Sequence, residues 1–148
     1  MEPWQYTFKR KSATTSRFYY FDIGVKNKLA GITTMSEQTD IFGQAFEQFI
    51  AMELRAYLSY TRKKIPLCFW RMLDGCEVDF IVGDIAIEVK STRKLLEKHF
   101  KNLKYLQEKA KLKSYYLISQ DSVTRKQGDF FMMHWREFLL KLWSGKII

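Results

Sequence analysis

The sequence predicts an α/β protein in which helices flank a mixed sheet, and three observations predict it. The first is a stripe of Phe42, Phe46, Phe49, Ile50 and Tyr57 at helical spacing, between Asp40 and about Tyr60. The second is a series of strand-like segments from Leu67 to Lys90, parted by Asp74-Gly75 and Gly83-Asp84. The third is another helical pattern, from about Arg93 to Lys111, followed by a strand-like run at Ser114–Ser119. A helix, a three-stranded meander, a helix and a strand bury their apolar faces by packing the helices on the sheet.

Composition supports one folded domain. The chain has 148 residues, 47% of them hydrophobic and 16% aromatic, enough for a sizeable core and too apolar for a disordered chain. Its two cysteines, Cys68 and Cys76, make neither a disulfide framework nor a zinc ligand set. They are expected to be small buried thiols, as in a reducing cytoplasm. No apolar run approaches the roughly 20 residues that cross a bilayer. The opening Met1-Glu2-Pro3-Trp4-Gln5 lacks the pattern of a signal peptide, so a cytoplasmic location is expected. A formal net charge of +9 points to a polyanionic partner, nucleic acid above all.

Taken in order, the first segment is basic at Lys9-Arg10-Lys11 and aromatic at Phe18-Tyr19-Tyr20-Phe21. It predicts a short strand from Arg17 to Phe21 and a short helix from Ile23 to Leu29, with Gly31 as the stop signal. Residues 1–36 read as a connector or extension and 37–148 as the main domain. Asp40 is the expected N-cap of the long helix. Glu53 falls within that helix's apolar stripe, whereas Glu47 lies on its flank beside Leu54. An acid on an apolar face must be paired, protonated or bound to a cation. Past Pro66, Leu67 to Leu73 reads as a strand, joined through Asp74-Gly75 to the next.

Ser91 or Thr92 is the expected cap of the second helix, whose buried line would be Leu96, Phe100, Leu103, Leu106 and Ala110. Lys94, Lys98, Lys101 and Tyr105 would form its opposite face. That face could track a phosphate backbone, with Tyr105 against a base or sugar. After Ser114–Ser119 comes a polar loop, then a strand at Phe130–Met133 and a helix from Trp135 to about Trp143, with Gly145 behind it. His99 and His134 lack metal-ligand spacing and are expected to be structural.

Chemistry concentrates in the hairpin Cys76 to Lys90. With Gly83-Asp84 as a two-residue turn, Val82 faces Ile85, and counting back places Asp79 opposite Glu88. Their Cβ atoms would lie roughly 5 Å apart on one face. Strict alternation would put Glu77, Asp79 and Ile81 on one side and Val78, Phe80 and Val82 on the other. It would likewise put Ala86, Glu88 and Lys90 on one face, and would pair Glu77 with Lys90. Like charges in register destabilise a sheet unless a proton or metal neutralises them. Mg²⁺ is held by one or two carboxylates together with substrate phosphates. The pattern therefore suggests a divalent-metal site for phosphodiester chemistry.

Asp79, the gap that follows it and Glu88-Val89-Lys90 resemble the signature of PD-(D/E)XK nucleases, the superfamily of restriction endonucleases and Holliday-junction resolvases. That resemblance implies a restriction-endonuclease-like α-β-β-β-α-β core. Gly43-Gln44-Ala45-Phe46-Glu47 resembles the helix opening that supplies a further acid there, which makes Glu47 the first choice and Glu53 the reserve. Val78 stands where the superfamily's name has proline. A broader set of motifs resembles the uncharacterised domain found C-terminal to AAA-type ATPase modules. It comprises Phe18 to Gly24, Gly43-x-x-Phe46-Glu47, Glu53-Leu54, Phe69-Trp70-Arg71, Gly75-x-Glu77-Val78-Asp79-Phe80 and Ile87-Glu88-Val89-Lys90-Ser91. The chain has no Gly-x-x-x-x-Gly-Lys-Ser/Thr loop, so ATPase activity does not carry over.

The resemblance implies that Asp79, Glu88 and the Val89 carbonyl hold Mg²⁺ or Mn²⁺, with Glu47 directly or through water. Lys90 would orient the attacking water or stabilise charge on the phosphate. Glu77 would tune Lys90 or recruit a second ion. Arg71 is either a phosphate clamp or a structural residue facing away with Val78. Three functions follow as expectations. One is a metal-dependent nuclease acting on DNA or RNA, for which the resemblance implies a homodimer, since such nucleases often pair to cut two strands. Another is a non-catalytic nucleic-acid-binding or regulatory domain that works with an AAA-type ATPase. A domain docking an acidic protein through its basic face is a third.

Overall fold

The computed structural model describes residues 1–5, 15–37 and 39–148. The Lys9-Arg10-Lys11 run lies outside the described residues. The expected architecture is present: a mixed seven-stranded sheet with helices against it. The elements are β1 (Glu2–Pro3), α1 (Ile23–Leu29), α2 (Asp40–Tyr60), β2 (Leu67–Arg71), β3 (Glu77–Val82) and β4 (Ile85–Lys90). A 3₁₀ turn (Glu97–Phe100) leads into α3 (Lys101–Lys109). Then come β5 (Ser114–Ser119), β6 (Arg125–Gln127), β7 (Phe130–His134) and α4 (Trp135–Trp143). The order α2-β2-β3-β4-α3-β5 is the one expected.

Across the sheet the strands run β1-β2-β3-β4-β5-β7-β6. The β2-β3-β4 meander is antiparallel, whereas β5 lies parallel to both β4 and β7. A parallel neighbour needs a crossover, and α3 provides it between β4 and β5. Both sheet faces are therefore covered, which is why β4 and β5 are almost wholly buried. One core joins Ile50, Leu54 and Tyr57 of α2 and Phe138 and Leu142 of α4 to Phe80, Val82, Ile85, Ile87 and Val89. The other joins Leu103 and Leu106 of α3 to Cys68, Trp70, Val78, Ile81 and Ala86. Among the described residues no helix is long and apolar enough to cross a membrane.

Local signals explain most boundaries. Asp22 caps α1 through a 2.8 Å bond from the Val25 N–H. Thr39, not Asp40, is the N-cap of α2, and Asp40 sits in the first turn, where its charge suits the helix dipole. Arg17 to Phe21 is not a strand; Arg17 exchanges two backbone bonds with Met1 instead. The polar loop expected before β7 contains the short strand β6.

The helix expected from Arg93 begins only at Lys101. Side-chain acceptors take the preceding N–H groups: Thr92 bonds Lys94, Asp121 bonds Leu95 and His99 bonds Leu96. With those donors satisfied, the chain stays extended until Glu97. Leu96, expected in the buried line, is 46% exposed, while Phe100, Leu103, Leu106 and Ala110 are buried as expected.

Candidate active site at the fork of β3 and β4

Strand β3 carries a bulge where the candidate acid sits. Leu67 and Cys68 pair with Val82 and Ile81, but Trp70 and Arg71 pair with Val78 and Glu77. Asp79 and Phe80 together therefore oppose Phe69 alone, and such an extra residue re-aims the side chains beside it. Val78 joins Ile81 on the α3 face, while Phe80 faces α2. The strict alternation expected for β3 is thus broken at Asp79.

On the other arm the expected register holds for three pairs only, and Asp79 and Glu88, expected opposite each other, are not paired in the ladder. Val82 pairs with Ile85, Ile81 with Ala86 and Phe80 with Ile87. A continuous hairpin of that register would next bond Val78 to Val89. Instead the Asp79 carboxylate accepts the Val89 N–H at 2.8 Å. Strand β4 remains regular against β5, so Glu88 lies on the face of its partner Leu117, the α3 side.

Asp79 and Glu88 are 5% and 1% exposed. Burial and the Glu88 charge together raise the Asp79 carboxyl well above the usual carboxylate range. Burial also raises Glu88, against the pull of Lys90 and of the Asp79 backbone N–H. Glu88 Oε1 is 2.7 Å from Lys90 Nζ, whereas Oε2 is buried with no hydrogen-bond partner. Burial alone would lower the Lys90 ammonium, but Glu88 and Asp79 outweigh it and raise it.

The four ionisable groups expected on one face are split by the bulge. Glu77 does not pair with Lys90; it meets Arg17 at 2.6 Å and Arg71 at 3.6 Å. Arg71 therefore turns toward Glu77 rather than away with Val78. Glu47 reaches the cluster from α2, but its carboxylate takes the Tyr19 hydroxyl at 2.5 Å and Arg17 at 3.3 Å. Gly43, one turn before it, lets α2 approach the end of β4, since a Cβ there would stand 3.3 Å from Ser91 Oγ. Glu53 is elsewhere, accepting the Trp143 indole N–H at 2.8 Å. Among the described residues no three His, Cys, Asp or Glu side chains are placed to hold an ion together, and Glu47, Glu77 and Asp79 surround the Arg17 guanidinium instead.

Sequence reading missed Arg17 and Tyr19. Arg17 also comes within 3.8 Å of Asp79 and lies over the Phe69 ring. Its partners are distant in sequence, so no local pattern announces it. The one available signal was stoichiometric: four acids near a single lysine demand further positive charge.

The helical cation face is also rearranged. Lys94 precedes the 3₁₀ turn, Lys98 and Lys101 are exposed, and Tyr105 packs half-buried against Trp70 with its hydroxyl 3.3 Å from Asp74. His99 and His134 serve backbone bonds, as expected. Both cysteines are free; Cys68 is buried and Cys76 half-buried.

The model of the domain of unknown function DUF4143 matches residues 42–138, which span both α2 and the hairpin. The chain belongs to the DUF4143 family. No curated protein and no solved structure matches it. Within the DUF4143 match lie Glu47, Glu77, Asp79, Glu88 and Lys90, whereas Arg17 and Tyr19 precede it.

Proposed function

We propose that this domain hydrolyses phosphodiester bonds in nucleic acid, DNA before RNA, with a divalent cation held by Asp79 and Glu88. The observation that carries the proposal is the buried Glu88 carboxylate: Oε1 holds Lys90, the Asp79 backbone N–H favours its charged form, and Oε2 makes no hydrogen bond of normal geometry. A buried, unsatisfied carboxylate oxygen is costly, and a hard cation would satisfy it. The donor set is chemically suited, because both residues offer oxygen and Asp79 is already oriented by the Val89 N–H.

When bound, Mg²⁺ or Mn²⁺ supplies Lewis acidity to the phosphoryl group and lowers the pKa of a bound water. The chain's own groups do the rest. Lys90 stays protonated beside Glu88 and presents a compact charge to the phosphate oxygens. Glu88 positions that ammonium, and the Asp79 charge adds to its hold on the proton. The exposed Lys98 and Lys101, with the chain's +9 charge, favour a polyanionic substrate.

One observation favours the second reading, a nucleic-acid-binding or regulatory domain without turnover that works with an AAA-type ATPase. Glu47, the acid expected to complete an ion set, is committed to Arg17 and Tyr19. Cleavage of supercoiled plasmid in Mg²⁺ or Mn²⁺ distinguishes the two. The nuclease reading expects nicking that EDTA, Asp79→Ala and Glu88→Gln each abolish, with DNA binding retained. Binding without cleavage over DNA and RNA substrates would leave the second reading in its place.

A further inference from the structure

Phosphodiester chemistry as proposed leaves Arg17 without a role, yet Arg17 has the densest set of charged contacts around the site. Its guanidinium lies 2.6 Å from Glu77, 3.3 Å from Glu47 and 3.8 Å from Asp79. The Phe69 ring, itself buried, supports it at 4.8 Å. The side chain is only 19% exposed, and a guanidinium does not lose its proton in a protein. Arg17 is therefore a permanent, fixed positive charge.

Its position relative to the other cationic group is informative. Glu88 and Lys90 lie on the α3 side of β4, whereas Glu47 approaches from α2. Asp79, at the bulge, faces both groups: it meets Arg17 and feels the charges of Glu88, Glu47 and Lys90. The centre thus has two halves that share Asp79. In one half Glu88 has an unpartnered buried oxygen. In the other, three acids are spread around a guanidinium that keeps them apart. Without that charge their mutual repulsion would have to be relieved by protons or by an ion.

We propose that the Arg17 guanidinium fills the second cation position of this centre, so that the native chain takes a single divalent ion, between Asp79 and Glu88. The inference rests on the ion-dependent reading above and adds to it which side of Asp79 the ion occupies and what closes the other. Ion stoichiometry is then set by a residue that precedes the family match at residues 42–138.

Mn²⁺ titration of the full chain, by calorimetry and by electron paramagnetic resonance of free Mn²⁺, tests this without any nucleic acid. Circular dichroism melts check that each variant is folded. The native chain is expected to take up a single ion, Arg17→Lys a single ion, and Arg17→Gln a second one. Glu77→Gln, which alters only the Arg17 half, is expected to keep the single ion, and Glu88→Gln to lose it. Equal single-ion uptake by the native chain and Arg17→Gln would overturn the role given to Arg17 alone, as would loss of the ion in Glu77→Gln. Uptake of two ions by the native chain would also overturn it. No uptake by any variant would overturn the ion-dependent reading itself, and this inference with it.

Discussion

The Asp79 side chain accepts the backbone N–H of Val89, the residue between Glu88 and Lys90, at 2.8 Å. One bond thus ties the bulge in β3 to the strand that carries the other two candidate groups. It replaces a backbone bond that the bulge removes, so the carboxylate completes the ladder and lines the site at once. Asparagine keeps an oxygen for that N–H but carries no charge.

Asp79→Asn is therefore expected to stabilise the metal-free protein near pH 8. It removes a buried charge opposed by Glu88, which outweighs the long 3.8 Å approach to Arg17, while keeping the bond to Val89. The gain should be roughly 1–2 kcal/mol, or about 3–6 °C in melting temperature. The same substitution should abolish Mn²⁺ uptake. Thermal melts with and without Mn²⁺ measure both, and a melting temperature lowered by several degrees would contradict the expectation.

The raised carboxyls also set a pH dependence. Asp79 and Glu88 hold protons more tightly in the folded chain than in the unfolded one. Their contribution to stability is fully present below the ordinary carboxylate range, about pH 4, and is lost as pH rises through the folded values. Asp121 and Glu137, lowered by hydrogen bonds, act in the opposite sense and lose their contribution on acidification. Urea unfolding between pH 4 and 8 should therefore show Glu88→Gln gaining on the native chain as pH rises. A gap that is constant across that range would refute the assignment.

Glu53 and Glu47 should separate cleanly in function. Glu53 caps the Trp143 indole at the far side of α2. Glu53→Ala is expected to cost roughly 0.5–1.5 kcal/mol, to change Trp143 fluorescence and to leave Mn²⁺ uptake unaltered. Glu47→Ala removes the acceptor of both Tyr19 and Arg17, so its cost in stability should be larger. Denaturant titration of the two variants side by side decides this.

Nucleic-acid affinity should report the exposed lysines individually. Replacing Lys98 or Lys101 by glutamine is expected to reduce the slope of log K against log salt by up to about 0.9 each. Tyr105→Phe should leave that slope unchanged, because its hydroxyl faces Asp74 and its ring packs on Trp70. Fluorescence anisotropy with duplex DNA over a salt series provides the measurement.

What short-range physics governs was legible in the residues alone. Helical and strand periodicity marked α2, β5 and α4; turn residues placed the hairpins, and Gly83-Asp84 registered Val82 on Ile85, which brings Asp79 and Glu88 to neighbouring strands. The sequence also showed two acids and a lysine too close to be neutral partners of one another. Tertiary structure decided the rest. Pairing with β2 puts a bulge at Asp79 and Phe80, and Glu77 meets Arg17 rather than Lys90. The helix before Lys101 is refused because Asp121, 26 residues after Leu95, takes its N–H. Arg17 reaches Glu47 and Glu77 across 30 and 60 residues, since charge balance in a buried cluster is met by whichever cation the fold brings near.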